Sequence, residues 1–203
     1  MKLFLLLFST ILSQQWQPFH LEEILNHQNT NIDYHQIDIT VNELTYSNRN
    51  NLSHKVIGYL PYWEYESYPQ IDYSLLTEIN YFSAELNEYG SIINDHNWDN
   101  IGFINYAQSQ DVKVKLCATL FNSNSLETLL SNSLNRTNAI NNLLNKVLSR
   151  NADGVDIDFE LVPSTQRENL VLFMQELSDT FHENMDDPII TMATPAIDWS
   201  NAW

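Results

Sequence analysis

Asp153-Gly154-Val155-Asp156-Ile157-Asp158-Phe159-Glu160 is the stretch from which the rest of this chain is best read. Successive side chains of a β-strand face opposite ways, so Asp156, Asp158 and Glu160 would share one face and Val155, Ile157 and Phe159 the other. The apolar set suits packing beneath helices. Three carboxyls held close together repel, and the least solvated of them resists ionisation. Crowding of this kind keeps an acid protonated near neutral pH, as a general acid requires. Glu160 comes last in the row and is the candidate acid, with Asp158 and Asp156 as its catalytic neighbours. Asp153 is out of phase with the other three and is read as structural support. The run could instead be an acidic strand face that is merely wet, or an oxygen-lined cation site. Regular strand spacing does not wrap oxygens around an ion, and none of the six scattered histidines forms a pair with metal-ligand spacing. No metal and no other cofactor is expected.

Working outward, short runs rich in Val, Ile, Phe and Tyr recur at Lys55 to Tyr62, Glu78 to Ala84, Lys113 to Phe121, Gly154 to Leu161 and Pro188 to Thr194. Helical patterns lie between them. Ile140, Leu143, Leu144, Val147 and Leu148 fall on one helical face. Another helix is predicted to start near Thr165, with Glu168 completing a capping box, and to carry Leu170, Phe173, Met174, Leu177 and Phe181. Asp99 to Gln108 and Leu126 to Leu134 are weaker helical stretches. Strand alternating with helix predicts a parallel sheet covered by helices. A dinucleotide-binding sheet would carry closely spaced glycines after its first strand, whereas Gly58 stands alone, so the α/β barrel is favoured.

At the acidic strand the chain resembles glycoside hydrolase family 18, whose signature D-x-x-D-x-D-x-E is met by Asp153, Asp156, Asp158 and Glu160. Val56-Ile57-Gly58-Tyr59 with Trp63 is similar to the family's first strand, Ile79-Asn80-Tyr81-Phe82 to its second and Met192-Ala193 to its fifth. Leu116-Cys117-Ala118-Thr119 departs from the Ser and paired Gly common in the third. The resemblance implies a parallel eight-stranded (TIM-type) barrel, present here as an incomplete barrel of about five strands over residues 54–203. It also implies hydrolysis of β-1,4-linked N-acetylglucosamine polymers, with retention and with help from the substrate. Glu160 would protonate the glycosidic oxygen. Asp158 would orient the acetamide, whose oxygen attacks its own anomeric carbon, and Asp156 would share a proton with Asp158. Tyr59, Trp63 and Phe82 near strand ends, and Met192, would contact substrate, aromatic faces being suited to pyranose rings. Five strands cannot close a barrel, so the isolated chain is expected to be inactive or impaired.

The remaining features limit the function classes. Twenty-six acidic residues against nine basic ones give a net charge of −17, which repels nucleic acid and anionic lipid. Lys2 followed by the apolar run Leu3 to Leu12 reads as a secretory signal over residues 1–13, too short for a membrane span of roughly 20 residues. A secreted chain is expected, taken as a monomer, and the resemblance implies chitin or another N-acetylglucosamine-containing glycan as its partner. Cys117, the single cysteine, is read as a buried spectator. Residues 14–53 are polar, with a possible strand at Tyr34 to Val41 and a loop at Ser47 to Ser53, and show no visible chemistry. Cleavage of the N-glycan core, a non-catalytic lectin and an inactive fragment remain alternatives.

Overall fold

The computed structural model describes residues 19–34, 52–196, 198 and 201–203. The expected signal over residues 1–13, residues 47–51 of the expected loop and all of the possible strand beyond Tyr34 lie outside these residues; Tyr34 itself is not in a strand. The described residues begin with helix α1 (Phe19–His27). Strand β1 (Ile57–Pro61) leads through a 3-10 segment, Tyr62–Gln70, to β2 (Glu78–Leu86) and a short β3 (Ile92–Asn94). Then come α2 (Phe103–Ser109), β4 (Lys113–Leu120), α3 (Ser123–Ser131), α4 (Ser133–Ser149), β5 (Gly154–Phe159), α5 (Arg167–Asn184) and β6 (Ile189–Met192).

Five strands form one parallel sheet in the order β1-β2-β4-β5-β6, and β3 pairs antiparallel with β2. Each of the five expected apolar runs is a strand. The antiparallel β3 was not anticipated, because three residues are too few to show a period of two. Among the described residues the sheet stays open, with β1 and β6 at its edges.

Strand alternation divides the side chains cleanly. Ile79, Tyr81, Val114, Leu116, Ala118, Val155, Ile157 and Phe159 are buried in the main core with Leu143 and Val147 of α4 and Phe173 and Phe181 of α5. Full burial of one such side chain contributes roughly 1.5–3 kcal/mol, so this outer layer is the dominant attraction holding helices to sheet. Side-chain caps start α3 and α4: the Asn122 carboxamide oxygen accepts from the Ser125 amide at 3.0 Å, and that of Asn132 from the Leu134 amide at 2.9 Å. Arg136 of α4 makes a two-pronged ion pair with Glu176 of α5, both contacts at 2.8 Å. The expected Thr165–Glu168 capping box does not form. Ser164–Gln166 is a 3-10 turn instead, and α5 starts after Gln166 without a side-chain cap.

Candidate active site

The opposite face of the sheet, the inside of the would-be barrel, is polar. In register across the strands run Tyr59, Asn80 and Lys115, then Phe82, Cys117, Asp156 and Thr191, then Thr119 and Asp158. Asp156 and Asp158 are buried on this face while Val155, Ile157 and Phe159 lie in the core on the other. Glu160 follows directly after β5, at its carboxyl end, and keeps a side-chain exposure of 25%. The three carboxyls thus converge on one sheltered region. Leu161, in left-handed conformation at φ 66°, turns the chain away immediately after Glu160.

Each acid has its own partners. Asp156 accepts from the Tyr59 hydroxyl at 2.7 Å through Oδ2 and from the Thr191 hydroxyl through Oδ1. Thr191 in turn accepts from Nζ of Lys115 at 2.8 Å, and the same ammonium lies 2.8 Å from Oε2 of Glu78. Lys115 is fully buried, so this chain of contacts places a positive charge one hydroxyl away from Asp156. Burial works to raise the Glu78 pKa, but its ion pairs with Lys115 and Lys55 outweigh that and hold it below the usual carboxylate range. Asp158 bonds through Oδ2 to Nδ1 of His20 at 2.8 Å, and the same nitrogen is 3.4 Å from Oε1 of Glu160. The expected sharing of a proton between Asp156 and Asp158 has a different arrangement here: Asp156 is held by Tyr59 and Thr191, and Asp158 by His20.

Burial raises the pKa of Asp158, partly offset by the hydrogen bond and charge of His20. Glu160 is pushed up to about 7, first by burial and then by the charge of Asp158, against the opposing influence of His20. Its Oε2 is buried and makes no hydrogen bond with a described residue. A carboxyl with a near-neutral pKa and one uncommitted oxygen is equipped to hand a proton to a bound molecule. It faces a cavity of about 310 Å³ lined by His20, Asp158, Glu160, Leu161, Thr194 and Trp203, among others.

The expected substrate-contact residues separate into two groups. Tyr59, half exposed, reaches Asp156 directly. Trp63 follows β1 and stands edge-on to Phe82, ring centroids 5.8 Å apart. Phe82 lies in the middle of β2 rather than near its end, buried beneath His20 at 5.4 Å. Met192 does not join them. It pairs with Ile157, out of phase with Thr191, and packs toward Leu170 and Met174 of α5 on the outer face. Thr191, one residue earlier, takes the inner position. Asp153, the out-of-phase acid, accepts from the Val114 amide at 2.9 Å and from Gln108 at 3.1 Å, and pairs with Lys113 at 2.7 Å, tying the start of β5 to β4 and α2. Cys117 is buried beside Phe82 and Phe121.

His20 is the contributor that sequence reasoning missed. It comes from the stretch read as lacking chemistry and meets Asp158 across 138 positions of sequence, a separation no local pattern encodes. Its Nδ1 or Nε2 and single oxygens of Asp158 and Glu160 lie within 4.8 Å of one another, the one grouping of potential metal ligands among the described residues. The direct 2.8 Å contact between imidazole and carboxylate already satisfies both as an ion pair. None of the described helices is long and apolar enough to cross a membrane.

Comparison with known proteins bears on the family and the fold. The family model for glycosyl hydrolases family 18 matches residues 55–203. A search of curated proteins found no match. Among solved structures, a chitinase from Bacteroides thetaiotaomicron is 24% identical with a TM-score of 0.61, over 69% of this chain and 46% of that one. The spore cortex-lytic enzyme SleL of Bacillus megaterium is 16% identical with a TM-score of 0.63, over 73% and 38%. A family 18 chitinase from Cycas revoluta, in complex with (GlcNAc)3, is 20% identical with a TM-score of 0.59, over 68% and 45%. Identities this low speak to the fold, and the chain spans less than half the length of each of these proteins. The strands they share with it belong to TIM barrels, of which the five parallel strands here form an unclosed part. With the acid row on the inner face and a family match over most of its length, the chain belongs to glycosyl hydrolase family 18.

Proposed function

We propose that this chain carries the acid-bearing part of a retaining glycosidase that cleaves β-1,4-linked N-acetylglucosamine polymers. The observation that carries the proposal is Glu160: a carboxyl at a strand's carboxyl end, with a pKa near 7 and one buried oxygen uncommitted. In this reading Glu160 protonates the glycosidic oxygen. The N-acetyl oxygen of the sugar on the non-reducing side attacks its own anomeric carbon, and water then opens the cyclic ion with help from the same, now deprotonated, glutamate. Asp158 orients the acetamide N–H and faces the developing positive charge. Asp156, held by Tyr59 and Thr191, steadies Asp158 from below. The protein is further proposed to act outside the cytosol, exported on its apolar amino terminus.

The test is release of nitrophenol from chitobiose and chitotriose glycosides by this chain, and by any longer product of its gene that supplies more strands. Each is paired with its Glu160→Gln variant, and loss of a general acid should lower kcat about 10²–10⁴-fold. Turnover unaffected by Glu160→Gln would refute the assignment. A longer product that binds these sugars without turning them over would favour a lectin. Release of N-glycans in preference to chitin fragments would favour core-glycan cleavage.

A further inference from the structure

Helix α1 lies over the inner face of the sheet and contacts several of the groups a glycan would need. His20 contacts Asp158 and Glu160, the two groups nearest the proposed reaction centre. Its ring lies 5.4 Å from that of Phe82, 6.3 Å from Phe121 and 6.4 Å from Tyr59. Leu21 and Ile24 pack against the buried trio Phe82, Cys117 and Phe121 on the inner face. One turn further, the His27 ring stacks flat on Trp63, centroids 4.7 Å apart and planes within 3°. A ring face on the indole, apolar contact with the floor and a hydrogen-bonding group on Asp158 are also what an N-acetylated sugar chain would present, through the C–H face of a pyranose, the acetamide methyl and the acetamide N–H. From this we infer that α1 is a built-in cover that occupies the sugar groove and must be displaced before a glycan can bind.

The inference rests on the glycan reading for the identity of the competitor, but the cover itself can be tested without sugar. Cys117 is the only cysteine, is fully buried and belongs to the trio against which Leu21 and Ile24 pack, so lifting α1 is expected to expose it more. His20→Ala removes the polar anchor, and Ile24→Glu puts a charge into the apolar seat. Neither residue belongs to the sheet or the main core, and retention of the wild-type unfolding transition verifies that the sheet is intact. In folded protein at a fixed pH, with chelator present, the Cys117 thiol should react with a small thiosulfonate about tenfold faster or more in the double variant and measurably faster in His20→Ala alone. Unchanged labelling in both would overturn the cover.

The sugar arm is calorimetric titration with tri-N-acetylchitotriose. If the closed form outweighs the open one by about ten to one, freeing the groove raises apparent affinity about tenfold. Faster labelling with tighter binding supports the cover as a competitor of the glycan. Faster labelling with equal, measurable affinity in both proteins overturns the competition. Faster labelling when neither protein binds the sugar leaves the cover standing and overturns its competition with a glycan in this chain, while the glycan reading itself is decided by turnover and binding in a longer product.

Discussion

Glu160 sits where its chemistry and the stability of the fold oppose each other. Burial and the nearby charge of Asp158 lift its pKa from 4.5 to about 7, so the folded protein holds its proton more tightly than the unfolded chain does. A raised carboxylate pKa withdraws stability as pH rises from about 4.5, and the loss is complete above about 7. At 1.36 kcal/mol per pKa unit the upper bound is about 3 kcal/mol, shared with the groups to which Glu160 is coupled. Glu160→Gln stays neutral and escapes this cost. Its unfolding free energy should therefore exceed the wild type's by about 2 kcal/mol at pH 8 and match it near pH 4, read from urea denaturation at both values. A difference independent of pH would remove the electrostatic account. His20 shows the reverse sign. Its pKa is raised, chiefly by the Asp158 hydrogen bond and further by the charges of Asp158, Glu160 and Asp156 against the effect of burial. Its contribution is complete below about 6.5 and disappears as pH rises through the elevated value. NMR titration should place the His20 midpoint above 6.5, and Asp158→Asn should move it down. A midpoint that ignores Asp158→Asn would mean that imidazole and carboxylate do not meet in solution.

At the scale of elements, β5 depends on a glycine for its packing. A Cβ added at Gly154 would stand 1.8 Å from the carbonyl oxygen of Ile189, deep inside van der Waals contact with the backbone of β6. Backbone cannot swing aside as a flexible side chain can. Gly154→Ala should therefore break the start of the β5–β6 pairing, which Ile189↔Gly154 opens, and destabilise the fold by about 3 kcal/mol or more. Thermal unfolding of the variant decides it, and a wild-type transition would show that the strands have room. The strands themselves were legible because period-two alternation survives in β5, where Asp156 and Asp158 face inward and Ile157 and Phe159 outward. The same alternation points to Glu160 and its neighbours, and the family signature agrees. Phase across strands is less legible: the family likeness points to Met192, whereas Thr191 is the inward residue, because sequence likeness marks a strand without fixing its register. Lys115 and Glu78 were invisible as a pair, since each looks like an ordinary surface residue until the sheet brings both to the inside. His20 lay wholly beyond local reading.

At the scale of the molecule, two open edges and a large like charge work against each other. Strands β1 and β6 end the sheet among the described residues, and Val56, Ile57 and Tyr59 at the β1 edge are exposed at 39%, 42% and 45%. Unpaired edges of this kind invite addition of a strand from another copy. A net charge of −17 opposes that approach at long range. The balance should shift with salt, because the screening length falls from about 30 Å at 0.01 M to about 3 Å at 1 M. Sedimentation should therefore find the chain monomeric at low ionic strength and increasingly associated as sodium chloride is raised toward 1 M. The associated form should be weakened by Ile57→Lys, which puts a charge on the β1 edge. If a longer product of the gene supplies strands that cap β1 and β6, the salt response should vanish in that product while the site residues keep their places. A sedimentation coefficient that stays constant across the salt range in this chain would show that repulsion is not what keeps the edges apart, leaving the fold of the edges themselves as the cause.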